Sequence, residues 1–180
     1  MKLFPLWIDI EDKTFLVIGG GRVGAGKVER LKQFTERIVV IAEESAIEGA
    51  VLKPFEDGDL ERGDIVIAAT DDPALNQHVS ELCQKRGIPV NVVDCPELCT
   101  FIFPAFVKRG DLTVAVTTAG RSPAFSAWMR ERVEEIVPEN TEEILDAMAA
   151  LRIELRERVP DQRERARILK ERLAEYVCGN

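Results

Sequence analysis

Thr14-Phe15-Leu16-Val17-Ile18-Gly19-Gly20-Gly21-Arg22-Val23-Gly24 is the stretch that decides the fold. A β-branched and aromatic run over 14–18 leads straight into glycines spaced Gly19-x-Gly21-x-x-Gly24. Beyond them Val23, Lys27, Val28, Leu31 and Phe34 recur at three and four, which predicts a helix over 23–34. Strand, glycine turn and helix in that order read as the first crossover of a dinucleotide-binding sheet. One glycine allows the tight turn, one lets backbone amides approach a pyrophosphate, and one lets the helix pack close to the sheet. The helix N-terminus adds free N–H groups and a positive dipole. The glycine spacing alone also fits a tight turn without a ligand; the flanking strand and helix favour the dinucleotide.

Working outward, apolar runs at 38–42, 65–69 and 89–93 read as further strands, the third run closed by Thr70-Asp71-Asp72-Pro73. Asp72 before Pro73 marks a helix start, and Gly87 its end. Leu75, Val79, Leu82 and Cys83 form that helix's buried stripe, with His78 half-buried beside it and Asn76 on the helix surface. Asn91, inside a strand run, is expected to meet a nearby backbone group. Continuous apolar strands separated by helices mean a parallel sheet covered on both faces, a Rossmann-type α/β fold. Phe101-Ile102-Phe103 reads as a last sheet strand ended by Pro104. A further strand is expected over 112–118, after the turn signal Arg109-Gly110-Asp111, then a helix with Ser122 as N-cap and Pro123 first, stopped at Pro138. From Thr141, read as a cap before an acidic first turn, the chain is rich in charge and helix formers. Apolar stripes on either side of Pro160-Asp161 predict a helical hairpin. The organisation is 1–107 as nucleotide-binding domain, 108–140 as a connecting segment and 141–180 as a small helical domain.

Composition narrows the function classes. The chain has 180 residues, 46% hydrophobic and 31% charged, so it can bury a core without staples. Lys plus Arg is 24 against 32 Asp plus Glu, a net charge of −8. That excludes a broad basic face for nucleic acid. No apolar run approaches the ~18–20 residues of a membrane span. Asp9, Glu11 and Asp12 interrupt the apolar start and exclude a signal peptide, so a cytoplasmic protein is expected. Cys83, Cys95, Cys99 and Cys178 contain no CxxC pair and are expected reduced. Cys95 and Cys99 lack a third soft ligand and read as buried and inert, and one histidine rules out a multi-histidine zinc site, so no metal is expected. Trp7 and Trp128 read as core or interface aromatics.

The candidate site follows from the fold. Gly19, Gly21, Arg22, Val23 and Gly24 would hold the pyrophosphate. Glu43, nineteen residues after Gly24, ends the second strand, where a carboxylate accepts from ribose hydroxyls and repels a 2′-phosphate; this favours NAD over NADP. The alternative is that Glu43 and Glu44 cap a loop. Thr70 and Asp71 end the next strand on the same edge, Thr70 towards the nicotinamide side, while Asp72 is read as the helix cap. Asp94 follows the fourth strand, in the crevice beyond the carboxyl ends. Val92, Val93 and Cys95 around it suggest a desolvated carboxyl, either a base or a turn-former before Pro96. Arg121 and Ser122, at the second helix start, are candidates for an anionic substrate, with Lys108 and Arg109 more simply solvated; Arg121 as an exposed turn residue is the alternative.

Val17-Ile18-Gly19-Gly20-Gly21-x-Val23, Ala68-Ala69-Thr70-Asp71-Asp72, Val90-Asn91-Val92-Val93-Asp94, Phe103-Pro104-Ala105 and Gly120-x-Ser122-Pro123 resemble, in order and spacing, the precorrin-2 dehydrogenase family, the dehydrogenase and ferrochelatase part of siroheme synthases. The resemblance covers about 5–138. It implies oxidation of precorrin-2, a tetrapyrrole with eight carboxylates, to sirohydrochlorin with NAD, and Asp94 as the key aspartate. It also implies a homodimer built on 108–140 and a stand-alone form without a methyltransferase domain. Metal insertion, alone or in addition, is the second reading, and a non-enzymatic NAD-sensing domain the third. Departures from the family pattern are Gly24 for a usual Ala, Gly26 for a usual Arg and Glu43 near a usual Pro.

Overall fold

Strand β1 (Phe15–Ile18) is buried at every position and lies at the centre of a five-stranded sheet. It pairs in parallel with β2 (Ile38–Ala42) on one side and β4 (Ile65–Ala68) on the other. β3 (Val51–Leu52) extends the β2 edge, and β5 (Val90–Val92) the β4 edge, both parallel. The order β3-β2-β1-β4-β5 reverses direction at β1, and this sends α1 (Arg22–Leu31) and α2 (Pro73–Arg86) to opposite faces. Alternation along the strands separates the two cores. Leu16, Ile18, Val66 and Val90 pack with Val79 and Cys83 of α2, while Phe15, Val17, Val40 and Ile67 pack with Val28 and Leu31 of α1. Complete burial of each Val, Leu or Ile is worth roughly 1.5–3 kcal/mol, so both faces commit the strands to this register.

The computed structural model describes residues 2–178, and the chain divides into two compact units, Met1–Phe103 and Pro104–Asn180. In the second unit β6 (Ala105–Arg109) and β7 (Leu112–Val116) form an antiparallel hairpin turned at Gly110, whose φ is +54°. It is followed by α3 (Pro123–Ile136), α4 (Thr141–Arg158) and α5 (Gln162–Cys178). α4 and α5 pack as a pair, with Ile144 and Leu155 buried. Ion pairs one turn apart, such as Arg167 with Glu164 and Glu171, cover the outer face of α5.

Several expectations are corrected. α1 ends at Leu31, three residues before Phe34, because the Phe34 and Thr35 amides both close on the Leu31 carbonyl and release the chain into β2. Phe101-Ile102-Phe103 is no strand. Phe101 and Phe103 are apolar because their rings, 5.7 Å apart, pack on the α1 face, and the backbone of this segment is held by Asn91 and Thr100. β7 stops at Val116, since Thr118 turns its hydroxyl onto Ser122. Thr141 is the first residue of α4 instead of its cap, and its hydroxyl bonds the Pro138 carbonyl. His78 is exposed and meets Asp57 at 2.8 Å, instead of sitting half-buried beside the stripe. Trp7 and Trp128, 69% and 48% exposed, are not core residues. Cys95 and Cys99 are only half-buried, and the Cys178 side chain lies outside the described residues. Among the described residues no helix is long and apolar enough to cross a membrane.

Candidate functional site

The three helix starts that border the carboxyl ends of β1, β4 and β7 differ in one respect. Asp72 caps α2 by accepting from the Ala74 and Leu75 amides at 2.8 and 3.2 Å. Ser122 caps α3 by accepting from the Phe125 amide at 3.2 Å. α1 starts after Gly21 with no side-chain cap. The first amides of a helix need partners, and here no side chain supplies them. The glycines explain why. Gly19 has φ +111°, and a Cβ there would lie 2.4 Å from the Ala69 carbonyl oxygen. A Cβ on Gly24 would lie 2.1 Å from the Gly19 carbonyl oxygen. Gly20 faces Ser45, which bonds the Gly20 carbonyl. Gly21 faces open space. Three glycines therefore let the turn close against its neighbours, and the fourth keeps the helix start clear for an anion.

A cavity of about 350 Å³ adjoins this turn, lined by Gly20, Gly21, Arg22, Ala25, Glu29, Lys32 and the loop 46–48 after β2. Its wall contains Glu48, while Glu43 is exposed at the end of β2. Val23 is 45% exposed at the helix start.

On the β4 edge, Thr70 is clasped by Asn76. The Asn76 amide donates to the Thr70 carbonyl at 2.9 Å, and its oxygen accepts from the Thr70 hydroxyl at 2.8 Å. Asn76 is 7% exposed, so the expectation of a helix-surface residue is overturned: its side chain folds back over the first turn of α2 to satisfy the strand end. The Thr70 hydroxyl is thereby spent within the chain, and it also accepts from the Asp72 amide. Asp71 is exposed. Asp94 leaves β5 with φ +59°, a left-handed conformation that Asp and Asn tolerate better than other side chains. It is exposed, not desolvated as its apolar neighbours suggested, because the left-handed turn carries it out of the sheet. Burial pushes the Cys99 thiol up from its ordinary value; its sulfur accepts from the Val92 amide at 3.1 Å and is structural. Among the described residues no three His, Cys, Asp or Glu side chains converge as metal ligands. In the second unit Arg121 is exposed, and Ser122 is half-buried with its hydroxyl engaged as cap.

Two family profiles match the chain. One described as NAD(P)-binding covers residues 6–105, more than half of it. The chain belongs to this NAD(P)-binding family. The other profile, sirohaem biosynthesis protein central, covers residues 109–136. The siroheme synthase of Thioalkalivibrio sulfidiphilus is 40% identical over 97% of this chain and 38% of its own length. That of Methylococcus capsulatus is 38% identical over 92% and 37%. The chain thus spans about two fifths of the length of the curated relatives it matches. A solved precorrin-2 dehydrogenase shares the fold with TM-score 0.77, covering 94% of this chain and 88% of its own, at 21% identity.

A nicotinamide dinucleotide is therefore the cofactor class of the family, and the uncapped α1 start with open Gly21 fits its pyrophosphate. Two residues at this site carry no short motif and are missed by sequence reasoning. Ser45 is fixed by the Ile47 amide and the Gly20 carbonyl. In the sequence Lys27 reads only as part of the helical stripe. It is half-buried, with its ammonium 4.4 Å from the Phe103 ring centroid. A lysine on the apolar side of an otherwise amphipathic helix is the signal that marks it.

Proposed function

We propose that this chain oxidises precorrin-2 to sirohydrochlorin with NAD⁺. The observation that carries the reading is the uncapped, glycine-lined start of α1 on the same sheet edge as Asp94, in a chain of this family. Bound NAD⁺ supplies the hydride acceptor. The chain's own residues do the rest. Gly19, Gly21, Arg22, Val23 and Gly24 seat the pyrophosphate, and Thr70 and Asp71 border the nicotinamide side. Oxidation removes a hydride and a proton from the reduced macrocycle, and the Asp94 carboxylate takes the proton. Arg121 and Ser122 belong to the substrate's carboxylate-binding surface. The protein works as a cytoplasmic homodimer through 108–140.

The preference is for NAD over NADP. Glu43 at the end of β2 supports it, and Glu48 in the cavity wall adds a second carboxylate that a 2′-phosphate would face. Anaerobic NADH formation from precorrin-2, with and without Fe²⁺, tests the activity; no NADH from fresh substrate rejects it. In the same assay NADP⁺ is expected to serve poorly and Glu43→Ala to narrow the gap. Equal affinity for both cofactors in the unaltered protein rejects the NAD assignment.

A further inference from the structure

The two flanks of α1 differ in what they present. Arg22, Ala25, Glu29 and Lys32 line the cavity. Lys27 lies roughly 200° around the helix axis from both Ala25 and Glu29, on the opposite flank. There its ammonium stands over the Phe103 ring, with the Arg30 guanidinium 5.9 Å from the same centroid. Burial and Arg30 push Lys27 below the ordinary lysine value, and Cys99 and Asp94 oppose them. Among the described residues its three N–H donors meet no hydrogen-bond acceptor, and no carboxylate lies within ion-pair distance. A half-buried ammonium with unmet donors costs stability in the free chain, and an anion seated against it removes that cost.

The pyrophosphate does not meet this need, because its seat is the start of α1 and the adenosine half belongs with the cavity flank. The Lys27 flank, with Asp94 at the end of β5, is where the hydride donor must stand. We infer that Lys27 anchors a carboxylate of the reduced tetrapyrrole substrate, with Phe103 as the floor that holds the ammonium in place. This rests on the dehydrogenase reading above. An ammonium over an aromatic face is attracted by the ring quadrupole, which fixes its position without spending its donors. Anchoring here sets the macrocycle against Asp94, so Lys27 determines binding more than turnover.

The test compares the unaltered chain with Lys27→Met, which keeps the apolar stem over Phe103, and with Lys27→Arg, which restores a cation. Anaerobic initial rates with precorrin-2 and NAD⁺ give KM and kcat, and a fluorescence titration gives the Kd for NAD⁺. Loss of a charge-assisted bond to a carboxylate raises the precorrin-2 KM about ten- to hundredfold in Lys27→Met. Lys27→Arg recovers most of it, the Kd for NAD⁺ holds, and the melting temperature of Lys27→Met without substrate is no lower than that of the unaltered chain. If Lys27→Met loses its melting transition, Lys27→Gln carries the same comparison. A wild-type KM in the neutral variant overturns the anchor and leaves the dehydrogenase reading standing. A raised Kd for NAD⁺ at unchanged precorrin-2 KM assigns Lys27 to the cofactor and also overturns it. An unaltered chain that forms no NADH from precorrin-2 removes both.

Discussion

Gly19 and Gly21 stand two residues apart in one motif and answer to different constraints. Gly19 has a positive φ and a backbone carbonyl where its Cβ would go, so Gly19→Ala strikes the fold. The left-handed conformation alone costs a side chain roughly 1–2 kcal/mol, before the clash is counted. Gly21 faces open space, so Gly21→Asp is expected to melt like the unaltered chain and to lose dinucleotide binding, because its carboxylate stands where the pyrophosphate belongs. Calorimetry with NAD⁺ titration separates the two: loss of stability in Gly21→Asp would contradict this division. Asp94 is read the same way. Its φ of +59° makes Asp94→Asn the cleaner variant, since Asn keeps the left-handed turn that Ala strains. A carboxylate base predicts that Asp94→Asn folds and binds NAD⁺ but turns over about 10²–10⁴-fold more slowly. A near-normal Asn variant would leave Asp94 with the turn alone.

At the scale of elements, the connection between β3 and β4 carries a buried charge that the sequence pattern does not advertise. Asp59, 4% exposed, sits in the 3₁₀ turn Asp57–Arg62. It accepts from the Glu56 amide at 2.9 Å and pairs with Lys53 at 2.9 Å and Arg62 at 3.4 Å. Burial alone would raise its pKa, but the Glu56 amide, Lys53 and Arg62 outweigh it and hold the carboxyl below its ordinary 3.8. A lowered native pKa means that the unfolded chain takes up the proton first as pH falls. The stabilisation is therefore complete above that ordinary value and is lost as the pH drops through the lowered native one. Asp59→Asn is expected to cost about 1–3 kcal/mol at neutral pH, because a buried acceptor set is broken. Its stability is also expected to depend less on pH on the acid side. Urea unfolding of both chains from neutral pH to pH 3 checks this; parallel curves would show that Asp59 does not drive the acid response.

The whole molecule poses the question of assembly. α3 exposes Phe125 (52%), Trp128 (48%) and Ile136 (77%), with the first two rings 5.6 Å apart. A paired aromatic surface of this kind on a helix is what a protein interface buries. A two-fold dimer through β7 and α3 is expected, the commonest closed symmetry. Sedimentation at micromolar concentration is expected to give twice the chain mass of 20.1 kDa, and Trp128→Glu to shift it towards one. A monomeric unaltered chain would reject the dimer.

What the sequence determined by itself is everything that depends on near neighbours along the chain. The apolar runs of β1, β2, β4 and β5, the glycine spacing, the caps at Asp72 and Ser122 and the stop at Gly87 are local, and each is where the pattern put it. Each obeys a steric or hydrogen-bonding rule that spans a few residues. Only the tertiary structure decided what depends on residues far apart. β3 is two residues long and exists because β2 offers an edge. Phe101 and Phe103 carry a strand's composition, yet they serve as packing for α1, and β7 required β6 as partner. Asn76 satisfies Thr70, His78 turns to Asp57, and Lys27 reaches Phe103, seventy-six positions away in the chain. A polar side chain's partner is chosen by the geometry that burial imposes after the sheet has formed, and composition carries no record of that choice.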